Sequence, residues 1–85
     1  MTMEDDIRRR IHMLEPTVQI GKNGLTDTTI LEIRKQLKNR KLIKIKFLRS
    51  FLEEHDRREA TAQIVAATGA DLVDALGNRI VLRHR

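Results

Sequence analysis

The sequence predicts a single α/β domain of the α+β type. Its elements run αβαβαββ, with a four-stranded mixed sheet packed against three helices. Three observations carry this prediction. Apolar residues recur at helical spacing in three separate segments. One segment, Leu42 to Leu48, alternates apolar and basic residues. The chain closes on two short apolar runs joined by Gly77-Asn78. At 85 residues, one domain over 1–85 with one modest core is expected.

The first helix follows from Met3, Ile7, Ile11 and Leu14, spaced four, four and three. Glu4, Asp5 and Asp6 precede Arg8 to Arg10, an order that suits the helix dipole. Pro16 ends this segment and pushes Glu15 toward extended geometry. Thr17 to Ile20 reads as a short strand with Val18 and Ile20 inward. Thr26 is a good N-cap, Asp27 a good first-turn residue, and Ile30, Ile33 and Leu37 form the buried stripe of a helix running to about Arg40.

In the strand from Leu42 to Leu48, Ile43, Ile45 and Phe47 face one way, and Lys44 and Lys46 face an open opposite side. Both Ser50-x-x-Glu53 and Asp56-x-x-Glu59 resemble capping boxes. Wound back at the helical angle, Phe51 and Leu52 fall off the face formed by Ala60, Ile64 and Ala67. The third helix is therefore expected to start near Asp56, with Ser50 to His55 as a loop. Gly69 should close it in the left-handed region. Asp71 to Leu76 and Arg79 to Arg83 then make a hairpin across Gly77-Asn78. The first two strands, linked through a helix, should be parallel; strand order is open.

Composition removes several function classes. Phe47 and Phe51 are the only aromatic residues, so a platform of stacked Tyr and Phe is nearly excluded. No cysteine is present, which removes disulfides, thiolate metal sites and a cysteine nucleophile. His12, His55 and His84 show no ligand spacing, so no metal and no cofactor are expected. No Ser/His/Asp constellation is evident, and an enzyme is the least supported reading. The opening "MTMEDDIRRR" lacks the apolar stretch of a signal peptide, and no apolar run is long enough to span a bilayer. A cytoplasmic protein is the expectation.

The net charge of +5 is concentrated. Eight bases and no acid lie between Glu32 and Glu53: Arg34, Lys35, Lys38, Arg40, Lys41, Lys44, Lys46 and Arg49. Elsewhere nine bases face twelve acids, so the whole positive excess belongs to this segment. Such a segment attracts polyanions, although a solvated lysine face has the same composition. The acids Glu53, Glu54 and Asp56 read as a solvated cluster that repels RNA on their side.

The stretch "VQIGKNGLT" joins a strand to a helix through Gly21, Lys22, Asn23 and Gly24. Glycine admits positive φ and lets another molecule approach the backbone. Lys22 adds charge, and the helix end at Thr26 adds free N–H groups. An isolated G-x-x-G is equally well a tight turn. Here it precedes the segment holding all the excess charge, which favours a phosphodiester site.

"IGKNGLT" with "LIKIK" at this separation resembles a CRM domain (chloroplast RNA splicing and ribosome maturation), in its stand-alone prokaryotic YhbY-like form. The Leu14 to Pro16 helix exit, "LIKIKF", "AATGAD" and "GNRIVLRHR" extend the resemblance over nearly the whole chain. It implies an RNA-binding fold similar to the C-terminal domain of translation initiation factor three. It also implies association with ribosomal RNA or large-subunit precursors. The family's loop motif falls on Gly21, Lys22, Asn23 and Gly24. Its basic helix-and-strand surface falls on Arg34, Lys35, Lys38, Lys41, Lys44 and Lys46. The acids of the first helix depart from the pattern, and so does the absence of a basic tail after Arg85.

The expected function is RNA-backbone binding through the G-x-x-G loop, Thr26 and the adjacent basic surface. A monomer is expected, with no membrane and no small-molecule substrate as partner. Two alternatives are an Alba-like protein coating DNA or RNA, and a protein–protein adaptor. Alba-like chains usually carry a paired lysine and proline in the loop after the first strand, where this chain reads Gly-Lys-Asn-Gly.

Overall fold

In the computed structural model, which describes residues 3–85, eight elements follow in order. They are α1 (Met3–Met13), β1 (Pro16–Ile20), α2 (Asp27–Arg40), β2 (Leu42–Phe47), α3 (Arg49–Leu52), α4 (Arg57–Thr68), β3 (Asp71–Leu76) and β4 (Arg79–Arg83). The side chains of Met3, Glu4, Asp5 and Ile7 fall outside the description, and with them half of the apolar stripe expected for α1. The four strands form one mixed sheet in the order β1-β2-β4-β3. β1 and β2 are parallel, whereas β4 runs antiparallel to both β2 and β3.

Local chemistry sets the element ends. Pro16 is tolerated because β1 is an edge strand. The Thr26 hydroxyl accepts from the Thr29 amide (3.2 Å), and the Asp56 carboxylate accepts from the Glu59 amide (3.2 Å), so both expected N-caps form. Gly69 closes α4 at φ +70°, and Gly77 opens the hairpin turn at φ +60°. α2 is closed by Lys41 at φ +68°, an uncommon conformation for a residue with a Cβ.

α2 and α4 cover one face of the sheet. Val18, Ile20, Ile43, Ile45, Phe47, Ile80 and Leu82 meet Ile33, Leu37, Ala60 and Ile64 there, and all are buried. On α4 the structure turns Ala67 outward and buries Thr61 instead, with Val65 packed against the core. The buried stripe follows positions 60, 61, 64 and 65, which leaves position 67 off its edge.

The expected loop after β2 is a correction. Residues Arg49–Leu52 make a separate helical turn, with the Leu48 carbonyl accepting from the Phe51 and Leu52 amides. Phe51 does fail to fit the α4 face. It is buried anyway, because α3 points it at Phe47, with ring centroids 5.4 Å apart. His55 continues that stack, 4.6 Å from Phe51, and its ring reaches solvent.

The other sheet face is not open as expected. Lys44 pairs with Val81 across the β2–β4 ladder, and the two are 8% and 2% exposed. Ile11 is also buried, yet it lies outside the core beneath α2 and α4. Arg10 of α1 borders one cleft with Leu42 and Val73. α1 therefore lies across this face and shelters Lys44.

Candidate nucleic-acid interface

Gly21 and Gly24 close a four-residue turn, with the Gly24 amide donating to the Gly21 carbonyl at 2.9 Å. The two glycines answer different needs. Gly24 sits at φ +72°, where a side chain is strained. Gly21 has no such φ, but a Cβ there would stand 3.2 Å from Leu48 Cδ1. The fold thus accounts for both glycines without a ligand. The turn leaves Lys22 and Asn23 exposed at its tip. Thr26 caps only the Thr29 amide, so the N–H groups of Asp27 and Thr28 have no intrahelical acceptor. A flexible cation and a helix N-terminus therefore border the same tip. The Asp27 carboxylate opposes them in part.

From this tip α2 carries Arg34, Lys35 and Lys38, all exposed, toward Lys41 at its C-terminal end, also exposed. The His84 amide donates to the Lys41 carbonyl at 2.7 Å, which brings the end of the chain to this position. A cleft of about 230 Å³ is bordered by Arg34, Lys38, His84 and Arg85. Asp71 tempers this positive end. It accepts from Arg85 Nε at 2.8 Å and lies 3.5 Å from Arg83, and the Arg85 bond first, then the two guanidinium charges, hold its carboxyl below the ordinary aspartate value.

The sequence joins loop and basic segment as one surface, whereas the structure spreads the segment out: Arg34 and Lys35 lie midway along α2, Lys38 and Lys41 toward the end opposite the loop, and Lys46 near the loop end of β2. Fourteen residues at 1.5 Å per residue make about 21 Å. Over that distance two unit charges interact by about 0.2 kcal/mol in water before salt screening. The ends are electrostatically independent and can meet different parts of one extended polyanion.

Of the eleven sequence-predicted residues, Gly21, Lys22, Asn23, Gly24 and Thr26 gather at the loop end. Arg34, Lys35, Lys38 and Lys41 run along α2 to the other end. Lys46 is half-buried near the loop end of β2. Lys44 is a correction: sheltered beside Val81 and 8% exposed, it does not project from an open face. Arg83, His84 and Arg85 were missed. Their signal in the sequence is the basic run "RHR", distant along the chain from the segment it joins. Among the described residues, no group of three or more His, Cys, Asp or Glu could hold a metal ion, and no helix is long and apolar enough to cross a membrane.

Residues 3–83 match the family model described as CRS1 / YhbY (CRM) domain. The chain is 36% identical over 76 residues to the Bacillus subtilis protein named Probable RNA-binding protein YqeI, spanning 89% of this chain and 77% of that one. It is 36% identical over 80 residues to Probable RNA-binding protein MJ0652 of Methanocaldococcus jannaschii, spanning 94% of this chain and 59% of that longer one. The solution structure of SAV1595 from Staphylococcus aureus matches with a TM-score of 0.74 and 31% identity, over 96% of this chain and 83% of that one.

Proposed function

The chain belongs to the CRS1/YhbY (CRM) domain family, and from that premise we propose that it is a non-enzymatic RNA-binding protein. Relatives named as RNA-binding support this reading. The observation that carries it is the pairing on α2 of an exposed Lys22-Asn23 tip at one end with an exposed basic pole at the other. The tip takes a phosphodiester against the free N–H groups of α2. Mid-helix Arg34 and Lys35, with Lys38 and Lys41 at the pole, take phosphates farther along the strand. Family membership favours RNA over the Alba-like coating alternative. The family resemblance further suggests ribosomal RNA, in or on the way to the large subunit, with a cytoplasmic monomer as the acting species.

A salt titration of affinity tests the electrostatic account. With about five to eight phosphates neutralised, log affinity should fall against log salt with a slope magnitude near 4–6 for single-stranded contacts. Affinity unchanged between low and moderate salt would sink it. Crosslinking in cells, with sequencing of the bound RNA, tests the ribosomal assignment; recovery of messenger RNA alone would overturn it.

A further inference from the structure

Beside the Gly21–Gly24 turn lies a cleft of about 330 Å³ that the phosphate contacts leave unused. Its volume is in the range of small-ligand sites. Asn23 and Gly24 border it on the loop side, and His55, Asp56, Glu59 and Gln63 on the helix side. Two acids make it a poor place for a phosphate. They also push a bound backbone outward, toward Lys22, and leave the cleft to a neutral group.

Three features define that group. The His55 ring is the outer end of the Phe47–Phe51–His55 stack, held 4.6 Å from Phe51 at 21°. The two phenylalanines are buried, so His55 alone brings this stack to solvent. A planar ring already fixed by a neighbour loses little freedom when a flat ligand stacks on it. The ring also stands against the turn: a Cβ built on Gly24 would lie 3.9 Å from His55 Nε2. Finally, among the described residues the Glu59 carboxylate has neither a hydrogen-bond donor nor an ion-pair partner, whereas the Asp56 carboxylate is engaged by the Glu59 amide.

We propose that this cleft receives one unstacked guanine base from the RNA strand whose phosphate lies on the turn, with His55 as its stacking surface and Glu59 as its edge reader. An ionised carboxylate only accepts hydrogen bonds. Guanine presents two adjacent N–H groups on its Watson–Crick edge, N1–H and the N2 amino group, which a carboxylate accepts together. Adenine and cytosine place an acceptor beside their amino group, and uracil flanks its single N–H with two carbonyls. Asn23 and Gln63 border the same space with groups that both donate and accept. Single-stranded RNA is commonly read in this way, by stacking and by the edges of splayed bases.

This inference rests on the RNA-binding reading, and its test separates the two. Three labelled octamers serve as probes: oligouridine, the same strand with one central guanosine, and the same strand with one central adenosine. The parent protein should bind the guanosine strand at least about fivefold tighter than the other two. Glu59→Gln should erase the difference between guanosine and adenosine without weakening oligouridine. His55→Ala, at an exposed position, should weaken the guanosine strand and leave oligouridine within about twofold. On adding the guanosine strand to the parent, the His55 ring proton resonances should move upfield. Equal affinity of the parent for all three strands would overturn the guanine site while the RNA-binding reading stood. So would a Glu59→Gln variant that kept its preference. A parent that bound none of the three would overturn both.

Discussion

Replacing Lys22 and Asn23 by aspartate is the sharpest perturbation of the loop end. Both side chains are exposed, and the neighbouring core contacts come from Ile20 and Leu25. Stability should therefore change by less than about 1 kcal/mol. The substitutions remove one positive and add two negative charges where a phosphate must sit. In contact with a phosphate about 4 Å away in water, each charge is worth about 1 kcal/mol before salt screening. One attraction lost and two repulsions gained should survive screening as at least about 1.4 kcal/mol, or tenfold in affinity. The companion variant, Arg34→Glu with Lys38→Glu, acts farther along α2. Arg34 and Lys38 lie about 11 and about 17 Å along α2 from Asp27 at 1.5 Å per residue, where each pair of unit charges couples by about 0.4 kcal/mol or less in water and salt lowers this further. The losses should therefore add within about 0.5 kcal/mol in the quadruple variant. The assay is a binding titration of all four proteins at one salt concentration, with circular dichroism as the folding control. A folded loop variant that binds like the parent would return Gly21–Gly24 to an ordinary strand-to-helix turn. If the second pair cost nothing once the first was changed, one strand would not be engaging both ends.

Lys41→Gly should relieve the left-handed strain at φ +68° and stabilise the fold by about 0.5–1 kcal/mol, while RNA affinity falls through loss of an exposed charge; thermal melts and titrations should thus move in opposite senses, and a lower melting temperature would contradict the strained cap. Lys44→Glu places a carboxylate beside Val81 under α1 and should cost about 1–3 kcal/mol in denaturant unfolding, whereas Lys46→Glu should cost less than 1; equal costs would mean that α1 does not shelter position 44. The Asp71 carboxyl titrates below its ordinary value of 3.8, so its pairing with Arg85 and Arg83 contributes stability above that value and loses it as pH falls through the depressed one. Asp71→Asn should accordingly melt below the parent at neutral pH, with the gap narrowing as pH falls below 3.8, and a gap that stayed constant down to full protonation would refute the pairing.

Much of the fold was legible because its signals are local. The alternation in "LIKIKF" marked β2, Thr26 and Asp56 marked two helix starts, and Gly69 and Gly77 marked places where the backbone turns left-handed. Each depends on residues within a few positions of one another, so their spacing alone reveals the backbone state. The G-x-x-G tip was legible for the same reason, and so was the run of bases that follows it. Tertiary structure decided what those elements do. Lys44 alternates out of the core as its sequence requires, yet α1, some thirty residues earlier in the chain, covers it. Phe51 misses the α4 face at helical spacing, and only its stacking on Phe47 explains a separate turn there. The strand order β1-β2-β4-β3 brings Arg83 to Arg85 beside the end of α2 and sends the loop to the opposite end. Periodicity reports which face of an element is apolar. Which distant face buries it is settled by competition among all the apolar faces of the chain, and that competition is resolved only in the packed molecule.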